Sequence, residues 1–579
     1  MRSLRADIKC ERKFMKLTLG KEQKIYDDKF KKLVDGKVIE RIWNRDHTVW
    51  SDDPTEISNR LGWLDSPQNS LNVLKGINEF VDSVKKEGFT NALLMGMGGS
   101  SLAPEVFRFT FGVKDGCLDL DVLDSTDPGA VLEKERKLDF SKTLFIVSTK
   151  SGGTVETMSF LKYFYNRALD VLGKDVINKH FIAITDPGSG LEDLAKSLNF
   201  RKIFLNDPNI GGRYSALSLF GIVPAALVGI DAEKLLLNAL TMADECKLNS
   251  EQNSAAVLGA VMGALGENGK DKITFIMSPK IKYFGAWVEQ LIAESTGKNG
   301  KGILPVDLEE ITEPIYYSVD RLFIYMKLAG DSEFDSKVEK LKSAGFTVIE
   351  IILNDIYDFG GEFLKWELAT VVAGWVLNIQ PFDQPNVESA KIVARRMMKT
   401  YTDEGKLPEL TASLEEDGIK VYGDIETTNL RDVFIDFLNN YSKGDLNGNG
   451  RSYVSIQAYI KPSDDAAEAL FNLRTVIQKK YQLATTVGFG PRFLHSTGQL
   501  HKGDAGNGLF IQFTAHMPED IDIPENPGKR KSFFSFAVLK DAQALGDRQA
   551  LLDNKRKFIR FDLGKDVIGN LNKLAGTIK

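Results

Sequence analysis

Between about residues 76 and 235, short apolar runs alternate with stretches of helical spacing. The runs are "NALLMG" (91–96), "LDLDVLD" (118–124), "TLFIVST" (143–149), "HFIAITD" (180–186) and "RKIFLN" (201–206). Each is too short for a buried helix and, being bounded by turn residues, reads as a strand buried on both faces. The rhythm predicts a parallel sheet with helices on both sides. A second cycle, 260–395, carries "KITFIMS", "DRLFIYMKL" and "FTVIEIIL" as strands. From about 400 a third region has strands near "IKVYGDI", "SYVSIQAYI", "LATTVGF", "GLFIQFTAH" and "KFIRFDL", with polar loops at 443–452 and 518–532.

Residues 1–75 are charged and mostly helical, with aromatic anchors in "RIWNRDHTVW" and "RLGWLDSP", and read as an arm packed on the first domain. A chain of 579 residues exceeds a single core. The predicted division is an arm (1–75), two doubly wound α/β domains (76–235 and 236–395) and a C-terminal α/β domain (396–579). The similar rhythm of the two middle domains suggests a duplicated architecture, although no sequence repeat is visible.

Composition narrows the function. With 43% hydrophobic and 27% charged residues the chain has ordinary soluble character. A net charge of −6 gives no electrostatic footprint for nucleic acid or an anionic membrane. An anionic substrate must therefore be caught by a local site. Cys10, Cys117 and Cys246 are widely separated, which excludes a disulfide framework or a multi-cysteine metal centre and points to a reducing compartment. The first 20 residues hold no apolar core for a signal peptide, and the longest nearly apolar run, 214–230, reads as a buried helix. The expected location is the cytoplasm.

Six stretches carry chemistry. "LLMGMGGSSLAPEVF" (93–107) is a strand, a glycine turn and a helix start, an arrangement suited to anions. Its spacing breaks G-x-G-x-x-G, so dinucleotide binding is weakly supported even though Asp124 could imitate the ribose-binding acid. "STKSGGTVET" (148–157) gathers Thr149, Ser151 and Thr154 around a turn freed by Gly152 and Gly153. Two such turns at consecutive strand ends converge on the crevice where open α/β sheets bind ligands. No G-x-x-x-x-G-K-[ST] indicates Mg-nucleotide chemistry. In "GGRYSALSLFG" (211–221) Arg213 precedes an apolar helix, so it is either paired or functional.

Glu294 ends the helix predicted by "FGAWVEQLIAESTGKNGKG" (284–302), where the negative end of the dipole should raise its proton affinity. That suits a general base, the alternative being a solvated glutamate. In "NIQPFDQPNVESAK" (378–391), Gln384 and Lys391 follow a helix predicted by "GGEFLKWELATVVAGWVL", and Lys391 falls in the next helix, opened by Pro385, with a surface lysine as the alternative. "FLHSTGQLHKG" (493–503) holds His495 and His501, two of five histidines, without cysteine or acidic neighbours that would make a metal site.

Together "GMGGSS", "STKSGGTVET", "GGRYSALS", "ESTGK" and "FDQPNVESAK" resemble, in order, the phosphoglucose isomerase family, which interconverts glucose 6-phosphate and fructose 6-phosphate. The likeness covers about 40–400 and is strongest to the isomerase half of bacterial transaldolase fusions, whose "WSDDP…RLGWLD" lead-in is shared. The roughly ninety residues before "GMGGSS" are too few for a transaldolase barrel, so a stand-alone isomerase is expected.

The resemblance implies two sugar isomerase (SIS) domains and no cofactor or metal. It assigns Thr149, Ser151 and Thr154 to the phosphate, and Lys150, Gly99 and Ser100 to the sugar site. Arg213 beside Gly212 would stabilise the enediol and Glu294 would shuttle the proton. Gln384 and Lys391 would sit by the phosphate and ring oxygen, with Glu156 nearby. One departure is that the family's ring-opening histidine lies before the glutamine–lysine motif, whereas here no histidine falls between His180 and His495. His495 is expected to fill the role, with His501 second. In the family that loop comes from a partner subunit, so the expected form is a homodimer, or a monomer whose C-terminal domain completes the site. A dual glucose/mannose phosphate isomerase and a non-catalytic SIS-type sensor are the competing readings.

Overall fold

A computed structural model describes residues 15–578, so the reading of Cys10 and of the first fourteen residues lies outside the described residues. Three sheets organise the chain. In the first, five parallel strands run in the order Asp119–Leu123, Asn91–Gly96, Thr143–Ser148, Phe181–Thr185 and Lys202–Leu205. The second orders Leu304–Val306, Lys272–Met277, Arg321–Leu328 and Thr347–Leu353 in parallel. The third orders Ala484–Phe489, Tyr453–Tyr459, Gly508–Thr514 and Lys557–Asp562 in parallel, then adds Ile419–Tyr422 and Leu414–Glu416 antiparallel.

In all three sheets the parallel strands follow the order second, first, third, fourth in the chain. The duplicated rhythm expected of the two middle domains therefore extends to the third. Such an order opens a crevice at the carboxyl ends of the first and third strands, where crossovers leave to opposite faces. In the first sheet those ends are Gly96 and Ser148, which are paired.

The parallel strands match the apolar runs within one or two residues at each end. Five short strands were illegible: Met15–Thr18, Leu304–Val306, Leu414–Glu416, and the antiparallel pair Asp522–Pro524 and Ser532–Ser535, which overlaps the stretch read as a polar loop (518–532). Leu304–Val306 has only three residues after a glycine loop. Met15–Thr18 pairs antiparallel with Thr347–Leu353, so part of the arm belongs to the second sheet rather than to the first domain. The arm also holds the helices Gln23–Asp35 and Val38–Trp43, followed by mostly non-helical turns up to residue 65, and its Trp63 stacks on Tyr214. Positions 75, 235 and 395 each lie inside a helix: Ser66–Lys86, Ala232–Cys246 and Val387–Glu404.

One apolar core runs beneath the first and second sheets, and it includes the helix Leu219–Leu227 from the longest apolar run. Among the described residues no helix is long and apolar enough to cross a membrane. The third sheet has its own core. Polar contacts then dock this third unit on the first. Lys540, on the helix Phe536–Asp553, reaches Asp127 at 2.6 Å with both side chains buried. Arg492 binds Glu105 and meets Asp124 at 3.0 Å, which takes up the acid that a dinucleotide would have needed. Breaking a buried pair from one side leaves an unpaired charge, at a cost of about 3–5 kcal/mol. Lys540→Met should accordingly lower the unfolding midpoint in urea and speed proteolysis within Phe536–Asp553.

Candidate active site

The site lies at the carboxyl ends of the first sheet. A cleft of 130 Å³ is lined by Gly99, Ser100, Thr149, Lys150, Ser151, Thr154, Gly212, Arg213, Glu294, Gln384, Lys391 and His495. These are the expected site residues apart from Glu156 and His501. Larger cavities elsewhere, such as one of 630 Å³ lined by Asp271, Lys301 and Asp504, hold none of them.

The floor is backbone. A Cβ placed on Gly99 would stand 1.9 Å from the carbonyl oxygen of Gly212, so these two turns touch with no room for a side chain. Gly98 adopts φ +56 and faces the His495 carbonyl oxygen. Gly152, with φ +72, packs on the Leu191 amide, where a Cβ would come within 2.3 Å. Only glycine accepts such crowding together with a left-handed backbone.

One wall is the hydroxyl turn. Thr149 and Thr154 share a hydrogen bond of 3.1 Å between their hydroxyls. Thr154 is the N-cap of the helix Val155–Leu172 but its side chain makes no capping bond, which leaves the first amides of that helix open to an anion. Ser151 Oγ accepts from the Gly153 amide at 3.2 Å. Lys150 is anchored by Asp186 and by the Pro208 carbonyl oxygen, so it holds the turn from beneath.

The opposite wall carries Glu294, in the last turn of the helix Phe284–Thr296, with its side chain only 9% exposed. It is therefore not a solvated helix-end glutamate. Arg213 Nη1 stands 3.5 Å from Glu294 Oε1. The rest of the guanidinium is pinned: Nε donates to Ser295 Oγ at 2.7 Å and Nη2 to the Pro381 carbonyl oxygen at 2.6 Å. Arg213 is thus both paired and directed into the cleft. Lys298, also buried, clamps Asp383 at 2.7 Å, fixing the loop that presents Gln384. Burial, and then the charge of Arg213, pull the Lys298 ammonium down to about 8. Lys391, on Val387–Glu404, lines the cleft half-exposed, 3.6 Å from Glu388.

His495 enters from the third unit. Its Nε2 lies 2.9 Å from Glu156 Oε1, and Glu156 is 4% exposed. Burial alone would raise the Glu156 carboxyl, yet the charge and hydrogen bond of His495 hold it below the usual carboxylate range. His501 does not line the cleft. It is buried against Phe510, 3.3 Å from Ser455 Oγ, and burial pushes its imidazole well below the usual range. Gln499 of the same loop is structural too: it accepts from the Asn386 amide at 2.9 Å and donates to the Gly297 carbonyl oxygen at 2.9 Å.

Sequence reasoning missed Gln290. Its Nε2 bridges Glu294 Oε2 at 3.1 Å and the His495 carbonyl oxygen at 2.7 Å, and it lines the cleft. The signal was its place one helical turn before Glu294, on the same face. The glycine turn, the hydroxyl turn, a buried carboxylate and an imidazole thus converge from all three units. Among the described residues no group of three or more His, Cys, Asp or Glu side chains could hold a metal ion.

The family model described as phosphoglucose isomerase matches residues 9–317. The chain is 28% identical over 383 residues to a probable glucose-6-phosphate isomerase of Methanococcus maripaludis, covering 59% of this chain and 85% of that one. It is 26% identical over 385 residues to the glucose-6-phosphate isomerase of Campylobacter jejuni, covering 59% and 93%. Among solved structures, a hypothetical protein from Thermus thermophilus superposes with a TM-score of 0.58 at 22% identity, over 66% of this chain and 99% of that one. That last likeness concerns the fold.

Because the Gly99 and Gly212 turns touch in the floor of the cleft, Gly99→Ala must push these two turns apart. A displacement near 1 Å costs on the order of 10²-fold in rate. Steady-state kinetics of Gly99→Ala should show that loss in kcat/KM while its circular dichroism stays native.

Proposed function

The chain belongs to the phosphoglucose isomerase family, and from that premise we propose that it interconverts glucose 6-phosphate and fructose 6-phosphate by moving one proton between C2 and C1. The observation that carries this reading is the placement of a buried carboxylate, Glu294, across a small cleft from a hydroxyl turn and an open helix N-terminus. The phosphate sits on Thr149, Ser151, Thr154 and the first amides of Val155–Leu172, each charge-assisted contact contributing about 1.5–3 kcal/mol. Ser100 and Gln384 hold the sugar between the walls.

The ring opens first. His495, oriented by Glu156, and Lys391 move the proton that passes from the C1 hydroxyl to the ring oxygen as the C1–O bond breaks. Glu294 then takes the C2 proton, the electron pair forms the C1–C2 double bond, and the aldehyde oxygen gains negative charge. Arg213 meets that charge with a guanidinium already fixed in place, so little reorganisation is required. The proton of the C2 hydroxyl passes to the C1 oxygen, and Glu294 returns its proton to C1 as the C2 carbonyl forms, which gives the ketose. A positioned base of this kind supplies ~10²–10⁴-fold. The sensor reading has no use for Glu294 or Lys391 in the cleft, and the chemistry of the walls therefore favours catalysis.

Every side chain in this scheme belongs to one chain. In this reading the C-terminal unit delivers His495 in place of a partner subunit, and its 2.9 Å contact with Glu156 within the chain supports that. Two outcomes are expected. Glu294→Gln should bind fructose 6-phosphate in calorimetry with near-normal affinity yet lose isomerisation by ~10²–10⁴-fold; near-normal turnover would remove Glu294 from the scheme. Mixing inactive His495→Ala and Glu294→Gln proteins should restore no activity, and gel filtration should find activity in the monomer peak; recovery on mixing would mean that sites are shared between chains.

A further inference from the structure

Beyond the cleft, a second residue of the C-terminal unit touches the Glu156 carboxylate. Gln543, on the helix Phe536–Asp553 and 4% exposed, donates from Nε2 to Glu156 Oε1 at 2.6 Å. Its Oε1 accepts from Thr126 Oγ1 at 2.9 Å. The amide orientation follows from chemistry, since an ionised carboxylate only accepts and the threonine hydroxyl can donate. Glu156 Oε1 therefore receives two donors, Gln543 and His495 Nε2, both from the third unit.

The helix that bears Gln543 is fixed at three levels. Lys540 binds Asp127 one turn earlier. Gly546 packs on the Lys391 helix so closely that a Cβ there would stand 3.0 Å from the Ala394 amide nitrogen. At its start, Ser535 caps the helix from the hairpin strand Ser532–Ser535, whose hairpin is bound to the first unit through Asn166. Gln543 itself does not line the cleft.

We infer that Gln543 is a positioning residue for ring opening: with Thr126 it holds the Glu156 carboxylate at the angle that keeps the His495 proton on Nε2 and turns Nδ1 to the sugar. With Nε2 donating to Glu156, Nδ1 is the nitrogen that remains to exchange a proton with substrate, and it has no protein partner among the described residues. Without the amide, the carboxylate keeps its burial and its Oε1 loses one of two side-chain donors, so it swings toward His495 and the imidazole follows. The inference rests on the isomerase reading above, but concerns only the step before proton transfer from carbon.

That separation makes a specific test possible. In a Glu294→Gln background isomerisation is blocked, and ring opening is read alone as exchange between the α and β anomers of glucose 6-phosphate by NMR. Adding Gln543→Met should slow this exchange about tenfold or more, and in the otherwise native enzyme should lower kcat with KM unchanged. Thr126→Val, which frees only the far end of the amide, should slow exchange by a smaller factor. Lys540→Met, which loosens the same helix without touching Glu156, should leave exchange per folded molecule unchanged. Equal slowing by Lys540→Met and Gln543→Met would reduce Gln543 to a docking contact and overturn the inference. Should Gln543→Met fail to fold, unchanged exchange in Thr126→Val would overturn it as well. Retained isomerisation by Glu294→Gln alone would instead overturn the functional reading.

Discussion

The contact between the Glu156 carboxylate and the His495 imidazole is the constraint on which the rest of the architecture depends. A carboxylate this deeply buried needs donors on its oxygens, or burial would drive it to the neutral acid. The first unit leaves Oε1 to donors from elsewhere, and the third unit supplies both of them, His495 and Gln543. The docking surface around them has the same character. Lys540 with Asp127 and Arg492 with Asp124 and Glu105 are charge pairs whose partners lie on opposite sides of one interface. Such pairs add little net stability over a well-packed apolar contact, but they penalise any other docking angle, because a slipped interface strands buried charges. Specificity of placement is what a three-part active site requires.

The opposite wall solves a different electrostatic problem. Arg213 and Lys298 are two cations in one buried region, and the cost falls on Lys298, whose ammonium is pulled down to about 8 while Asp383 and a backbone carbonyl partly offset it. The Arg213 guanidinium commits its donors to Ser295 and Pro381. Its remaining edge is aimed at Glu294. A fixed positive group beside a mobile proton is how an anionic intermediate can be stabilised without any reorganisation of water.

Much of this was legible in the chain. Buried parallel strands leave continuous apolar runs, so most strands of the three sheets could be read nearly to the residue, whereas Met15–Thr18, Leu304–Val306 and Leu414–Glu416 were too short to rise above their surroundings. Among the cleft residues, Gly99, Ser100, Thr149, Ser151 and Thr154 stood out as two glycine-rich and hydroxyl-rich turns at neighbouring strand ends, whereas the roles of Gln384, Lys391 and His495 came from the family resemblance. Gln290 was not legible, since its only signal, a place one helical turn before Glu294, does not tell a functional side chain from a structural one. His495 and His501 illustrate the same limit. They lie six residues apart in one loop, yet one faces Glu156 and the cleft while the other is sealed against Phe510. Only the third sheet, whose strand Ala484–Phe489 launches that loop, decides between them. Gln543 had no local signal at all, because its partner lies 387 positions away.

The loop bearing His495 leaves the carboxyl end of a strand in the third sheet and meets the carboxyl ends of the first. Two sheets of one chain thus face each other mouth to mouth, joined by a covalent tether rather than by association. A tether converts encounter into an intramolecular event with a local concentration fixed by chain geometry. For the monomer proposed above, the completed cleft no longer depends on how much of the protein a cell makes: at extreme dilution each molecule still carries its own imidazole, and scarcity cannot dismantle it.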